Sequence, residues 1–299
     1  VIGALAAVAS SALWAFGSTR YAHASRAVGS ARVNLTRAST VLPLFLVATL
    51  VTTRGHLLAG VDAARVAWLG LSVLCAYAFA DNVFFAAALR VGITTALAIA
   101  SSYPLWAAVA GALFGHERFG VGRAGGTLLC VGGVIALIAL SPAAADEQPH
   151  ARSTRQQARD GILLALVTSV LWAGNTVSIK LGTDGLTAWH ANLIRFVVAW
   201  PILAATSALT VRPCKDDGVA RTAYRTLVPV ALAEACVGST LFVYGLAHTD
   251  LAVGATLSSL APLMSVPFAL FYREERWSLP RFSAVTATVG GVIILIVGA

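Results

Sequence analysis

The 299-residue chain is 58% hydrophobic and only 11% charged, with a mean hydropathy of +0.80. A soluble domain carries roughly 25% charged residues, so this composition excludes a water-soluble particle and points to a bilayer, where apolar side chains face outward as well as inward. The net charge of +8 is spread over helix ends and loops with no polar module to gather it, which argues for anionic lipid rather than nucleic acid as the partner.

Apolar runs long enough to cross ~30 Å of hydrocarbon recur throughout, and ten spans are expected, at 2–19, 33–52, 67–88, 93–114, 122–140, 161–180, 188–209, 226–247, 252–271 and 281–298. The expected fold class is therefore an all-α integral membrane protein with ten transmembrane helices. Residues 1–18 lack a basic leader and a small-residue cleavage site, so they are read as a span and not as a signal peptide.

Polar residues inside spans are costly, and they mark pathways. In the first span Trp14 sits among Ser10, Ser11 and Ser18. An indole beside small polar groups suits a cavity; tight helix packing is the alternative. In the second span Arg37 lies within the first two turns. A guanidinium there suits a substrate carboxylate, but an architectural role is favoured. The third span contains Tyr77, Asp81, Asn82 and Phe85; Tyr77, Asp81 and Phe84/Phe85 share one helix face by their spacing. An acid among aromatic rings suits an ammonium group, or else a structural pair with another helix. In the fourth span Ser101, Ser102 and Tyr103 precede Pro104, which removes an N–H and displaces a carbonyl; whether Trp106 faces cavity or lipid is open. The span ends on Glu117-Arg118, read as an interfacial stop, and Gly132-Gly133 fall in the fifth.

The stretch 141–160, rich in Pro, Gln and charge, is expected to be a linker. Beyond it the pattern repeats. Trp172 and Asn175 lie in span six, with Thr168, Ser169 and Ser178; Arg195 lies in span seven; Ser258, Ser259 and Pro262 lie in span nine. A constant shift of 158 residues maps Trp14 to Trp172, Asn34 to Asn192, Arg37 to Arg195, Pro43 to Pro201, Pro104 to Pro262, Glu117-Arg118 to Glu275-Arg276 and Gly132-Gly133 to Gly290-Gly291. Glu234, in span eight, maps to Ala76, so the repeat does not demand it; it is read as an individual adaptation or an interfacial residue. The expected domains are thus 1–140 and 161–299, each with five spans. Five is odd, so the second copy enters the membrane from the opposite side. Two inverted repeats around a central site are the geometry of secondary transporters.

The words "SALWAFGS" and "SVLWAGNT", "NLTR" and "NLIR", and "YPLWAAVAGALFGHER" and "APLMSVPFALFYREER" resemble the EamA-type repeat of the drug/metabolite transporter superfamily. The resemblance covers nearly the whole chain. It implies ten helices, a central cavity lined by spans 1–4 and 6–9, and peripheral spans 5 and 10. Within the superfamily the chain is similar to the YddG group of amino-acid exporters. Small multidrug relatives use a glutamate in span one for proton exchange; spans one and six here contain no acid.

The function expected is export of small polar metabolites, amino acids first, across the bacterial inner membrane by alternating access. The alternative is a proton-coupled multidrug or organic-cation exporter. The cavity residues expected are Trp14, Tyr77, Asp81, Asn82, Phe85, Ser101, Tyr103, Trp172, Asn175, Ser258 and Ser259, with Pro104 and Pro262 as kinks and Arg37 and Arg195 as structural arginines. Four cysteines without CxxC spacing, and histidines confined to loops and span ends with no HExxH or GxSxG, imply no metal site, no cofactor and no enzyme. The partners expected are a small-molecule substrate and membrane lipids, and the protein is expected to be a monomer. Loop charges place both termini outside by the positive-inside rule, whereas the family resemblance places them in the cytoplasm.

Overall fold

A computed structural model describes residues 1–91, 93–114, 120–140, 155–210, 217–264 and 279–297. Glu117-Arg118 and Glu275-Arg276 lie outside the described residues, as do the side chains of Ser18, Tyr77, Asp81, Asn82 and Phe85.

Every regular element among the described residues is helical. The first part of the chain comprises α1 (Ile2–Val28), α2 (Ser30–Thr52), α3 (Ala63–Val73), a π-helical segment π1 (Leu74–Ala80), α4 (Asp81–Val91), α5 (Ile93–Ala100), α6 (Tyr103–Phe114) and α7 (Val121–Ala139). The second comprises α8 (Arg155–Gly182), α9 (Ala188–Thr210), α10 (Asp217–Ala231), a second π segment π2 (Leu232–Gly238), α11 (Ser239–Ala247), α12 (Leu251–Ser258) and α13 (Leu279–Val297). Six stretches are long and apolar enough to cross a bilayer: Ala31–Thr52, Thr95–Leu113, Val121–Ala139, Arg155–Gly182, Ala188–Leu209 and Tyr224–Ala247. Shorter apolar helices cover Ile2–Gly17, Ala63–Ala76, Leu251–Met264 and Phe282–Val297. The chain is a multi-pass membrane protein.

Several boundaries differ from the sequence expectation, α10 starting at Asp217 rather than 226 among them, and two have clear physical reasons. α1 continues past residue 19 because Tyr21, Ala24 and Val28 recur at helical spacing and bury against Leu227 and Val230. α8 begins at Arg155, inside the stretch expected to be a linker. Gln, Ala and Arg are good helix formers, and Gln156 donates to Asp160 one turn on.

The helices of the two parts interleave. α1 packs on π2 and α11, and α8 packs on α3, π1 and α4. α2 lies on α9, α6 on α12, and α7 on α13. Glycines permit the close approaches. Along α1, Gly3 meets His248, Ala7 meets Gly245, Leu13 meets Gly238 and Gly17 meets Glu234, so α1 runs antiparallel to the π2–α11 helix. Along α8, Gly161 meets Arg90 and Val91, Gly174 meets Cys75, and Gly182 meets Leu69, again antiparallel. At the tip of the α11–α12 hairpin, Asp250 pairs with Arg123 and the Thr249 carbonyl accepts from Lys180.

Candidate functional site

The polar groups inside the helices gather in two kinds of place: helix breaks and arginine clusters. The first break separates α5 from α6 at Ser101 and Ser102, just before Pro104. There the Ser102 N–H turns to the Ile99 carbonyl at 3.1 Å, a tighter i→i−3 bond, and the Leu105 N–H bonds the Ser102 carbonyl at 2.9 Å. The second break ends α12 at Ser259, before Pro262, where the Ser259 N–H turns to the Thr256 carbonyl at 3.1 Å. Carbonyls released at a break need donors inside a membrane, and here they find them in other helices. The Tyr103 hydroxyl donates to the Ala255 carbonyl at 3.1 Å, and Ser11 donates to the Leu257 carbonyl at 2.7 Å. Ser169, which maps to Ser11 under the repeat shift, lies 3.0 Å from the Ser102 hydroxyl, which itself donates to the Ile99 carbonyl at 2.7 Å. Ile99 maps to Leu257. The two serines thus serve the same carbonyl in the two halves, one directly and one by relay.

Ser11→Ala leaves the Leu257 carbonyl without its donor, and the expected cost is about 1–3 kcal/mol. Ser169→Ala costs less, because Ser102 still reaches Ile99. Thermal unfolding of the purified variants in detergent checks the order.

The π segments occupy repeat-related positions, Leu74–Ala80 and Leu232–Gly238. Such wide turns are rare and occur frequently at functional sites. π2 meets an arginine of α2 directly, and π1 follows on from α3, whose Ser72 meets an arginine of α9. Arg37 is buried, donates to Asn34 of its own helix at 3.1 Å, and forms an ion pair with Glu234 of π2 at 2.8 Å. The Tyr21 hydroxyl donates to the same carboxylate oxygen at 2.8 Å. The guanidinium lies 4.3 Å from the centre of the Tyr21 ring and 5.6 Å from that of Trp14. Gly17 makes room for Glu234: a Cβ there would stand 2.9 Å from its Cγ.

Arg195 repeats half of this arrangement. It is buried and donates to Asn192 at 3.1 Å, matching the Arg37–Asn34 bond. Across the halves it reaches Ser72 of α3 at 3.0 Å, and it approaches Asn175 of α8 at 3.5 Å. Asn192 also accepts from Ser239 at 3.0 Å. The Asn192 amide nitrogen and the Ser258 hydroxyl are buried without a partner among the described residues.

Of the expected cavity residues, Tyr103 and Trp172 come together edge to face at 6.1 Å, with Phe84 beside Trp172 at 5.8 Å. Asn175 joins the Arg195 cluster. Trp14 is 45% exposed and belongs with Arg37, so the two repeat-related tryptophans stand in different surroundings. Ser101 and Ser259 are buried at the breaks, three residues before Pro104 and Pro262. The described structure does not place the side chains of Tyr77, Asp81, Asn82 and Phe85 in either cluster or outside it. Sequence reasoning did not single out Tyr21, Asn34, Ser72, Asn192 and Ser239 for the site, and it left Glu234 between two readings. The Arg37–Asn34 and Arg195–Asn192 bonds had a signal, since both asparagines recur one turn before the arginine. Among the described residues no three His, Cys, Asp or Glu side chains converge to hold a metal.

The arrangement can present hydrogen-bonding groups, charges and aromatic faces to a solute inside an apolar bundle, and it can bend where the helices break. Comparisons with known proteins agree with that character. One solved structure, titled only "Crystal structure of protein", matches with a TM-score of 0.74 at 18% identity over 99% of this chain and 98% of that one, which establishes the fold alone. None of the curated proteins matches the sequence. The EamA-like transporter family matches twice, at residues 1–139 and 159–297, and the starts and ends of the two matches are both offset by the 158 residues of the repeat. The chain belongs to the EamA-like transporter family, within the drug/metabolite transporter superfamily.

Proposed function

We propose that this transporter carries small polar metabolites, amino acids first, out of the bacterial cell by alternating access, in the manner of the YddG group. The observation that carries the reading is the pair of arginine clusters. Each joins the two halves inside an apolar bundle, at equivalent positions, in a chain whose helices also break before equivalent prolines. Charges are retained at such depth where a polar solute must pass, and paired helix breaks mark binding sites in inverted-repeat transporters.

The reading takes the four shorter apolar helices as spans too, giving ten, and takes the two halves as inverted copies. Its support is the antiparallel lie of α1 on the π2–α11 helix and of α8 on the α3–π1–α4 helix. Exchanging the halves turns one of these contacts into the other. The solute path then runs between the halves, past Trp14, Ser101, Tyr103, Trp172, Asn175, Ser258 and Ser259. Tyr77, Asp81, Asn82 and Phe85 are assigned to it from their place on the third span. The transporter acts as a monomer in the inner membrane.

One further reading is proton-coupled export of organic cations, favoured by the presence of acidic residues, Asp81 and Glu234, inside spans three and eight. Two transport assays separate the readings. Proteoliposomes preloaded with labelled amino acids release them faster than protein-free vesicles if the first reading holds; release no faster for any of a broad panel contradicts it. Uptake of a lipophilic cation driven by a pH gradient, lost on Asp81→Asn or Glu234→Gln, supports the second. Transport indifferent to pH removes it.

A further inference from the structure

We propose that one end of the bundle, studded with exposed arginines, is a docking surface for the anionic headgroups of the cytoplasmic leaflet. The chain then sits with that end in the cytosol and with Ile2 and Val297 at the outer face. This orientation runs against the one that the family resemblance implies, and it does not depend on which solute is carried.

Contacts between helices sort the loops into two ends. The end of α8 and the tip of the α11–α12 hairpin lie together, since Lys180 donates to the Thr249 carbonyl. Arg123, at the start of α7, joins them through Asp250, and Arg65, at the start of α3, reaches the Asp184 carbonyl at 2.7 Å. The opposite end gathers the end of α1 and the starts of α2 and α10, packed through Tyr21, Val28, Val33 and Leu227. The end of α4 meets the start of α8 there, at Arg90 and Gly161. The two ends differ in charge. Among the described side chains the second end carries Arg20, Arg32, Arg90, Arg155, Arg159 and Arg225, all but Arg32 exposed, against the single acid Asp160. At the first end Arg54, Arg65, Arg123 and Lys180 stand against Asp62, Asp184 and Asp250, and Arg65 and Arg123 are tied in ion pairs. The ends also differ in reach. α1 and α8 have 27 and 28 residues, about 40 Å at 1.5 Å per residue, whereas the hydrocarbon core is ~30 Å thick. Both overshoot at the arginine end, with the polar runs RYAHASRAV and RQQARD, and α10 does the same with DGVARTAYR. These extensions hold guanidiniums at headgroup depth. Arg32 and Arg155 lie in the first turns of their helices, where the dipole disfavours a cation, and neither turn holds an acid. A phosphate surface outside the protein supplies the negative charge that these turns lack. The cytoplasmic leaflet is negative at its surface, and each basic residue near it strengthens attachment roughly fivefold. Basic segments are also the ones retained in the cytosol during insertion.

Two measurements test the two parts of the proposal. For orientation, Gln156→Cys at the arginine end and Leu58→Cys at the other, both at exposed positions, are made singly in a chain without native cysteines. Intact cells are treated with a membrane-impermeant maleimide. Position 58 is expected to label in intact cells, and position 156 only after the membrane is permeabilised. Label on position 156 in intact cells, on all of the molecules or on half of them, overturns the orientation. So does a position 58 that stays unlabelled until permeabilisation. For the lipid contact, the wild-type protein is unfolded by heat in nanodiscs of phosphatidylcholine alone and of phosphatidylcholine mixed with phosphatidylglycerol. The anionic lipid is expected to raise the midpoint by several degrees, and less at high salt. Replacing Arg20, Arg90, Arg159 and Arg225 together by Gln removes most of the rise, and the variant's midpoint in phosphatidylcholine alone reports its folding. A wild-type midpoint indifferent to phosphatidylglycerol, a rise insensitive to salt, or an equal rise in the variant overturns the docking surface.

Discussion

Glu234→Ala lowers the apparent melting temperature of the purified protein by on the order of 10 °C, more than any other single truncation at the arginine clusters. The Arg37 and Glu234 side chains are 10% and 8% exposed. Removing one partner of a buried ion pair leaves the other charge stranded, at a cost of about 3–5 kcal/mol, and each kcal/mol moves the midpoint of a large domain by roughly 2–4 °C. The Tyr21 hydroxyl loses its acceptor as well. Glu234→Gln keeps an oxygen in place and falls between wild type and Glu234→Ala. Arg37→Met combined with Glu234→Met returns close to wild type, because two apolar side chains restore packing without a stranded charge. Thermal unfolding of the four proteins in one detergent checks the order. A Glu234→Ala protein as stable as wild type would mean that the carboxylate is not paired in the folded bundle.

The second large effect belongs to the α7–α13 seam, where neighbouring glycines have opposite tolerances. A Cβ on Gly291 would stand 2.7 Å from the Gly126 carbonyl oxygen and 2.8 Å from the Cys130 amide nitrogen. Both are backbone atoms of α7, so the helices must separate. On Gly133 a Cβ would meet the Ala284 carbonyl oxygen and the Thr288 amide nitrogen of α13 at 2.9 Å. Gly290 and Gly132 have nothing within 4 Å. Gly291→Ala and Gly133→Ala are therefore expected to cost about 1–3 kcal/mol each by overpacking. Gly290→Ala and Gly132→Ala are expected to be neutral or to gain up to about 1 kcal/mol of helix propensity. The same unfolding assay reads all four. Equal tolerance at positions 290 and 291 would contradict the seam.

The repeat was legible because it is written in identical residues. Asn34 and Asn192, Arg37 and Arg195, and Pro104 and Pro262 keep one spacing, and the helix breaks and the arginine–asparagine bonds follow it. The wide turns at 74–80 and 232–238 also obey the shift, yet nothing in the sequence announces them, because an apolar run does not distinguish the α from the π repeat. The partners of the arginines were hidden for the opposite reason. Glu234 maps to Ala76 and Ser72 maps to Val230, so comparison of the halves discounts the residues that make them different. Tyr21 lay beyond the expected end of its span, on an amphipathic extension of α1. The early start of α8 was masked by polarity, since a run of Gln, Arg and Asp looks like a linker although each residue accepts a helix.

The inverted arrangement of the two halves is the claim on which both transport and the shared path depend. Arg90 and His248 are repeat-related, exposed, and sit at the tips of equivalent hairpins. Single cysteines at these two positions, labelled in intact cells or oriented vesicles with a membrane-impermeant maleimide, report their sides directly. Labelling from opposite faces is the predicted result; labelling of both from the same face would contradict the account.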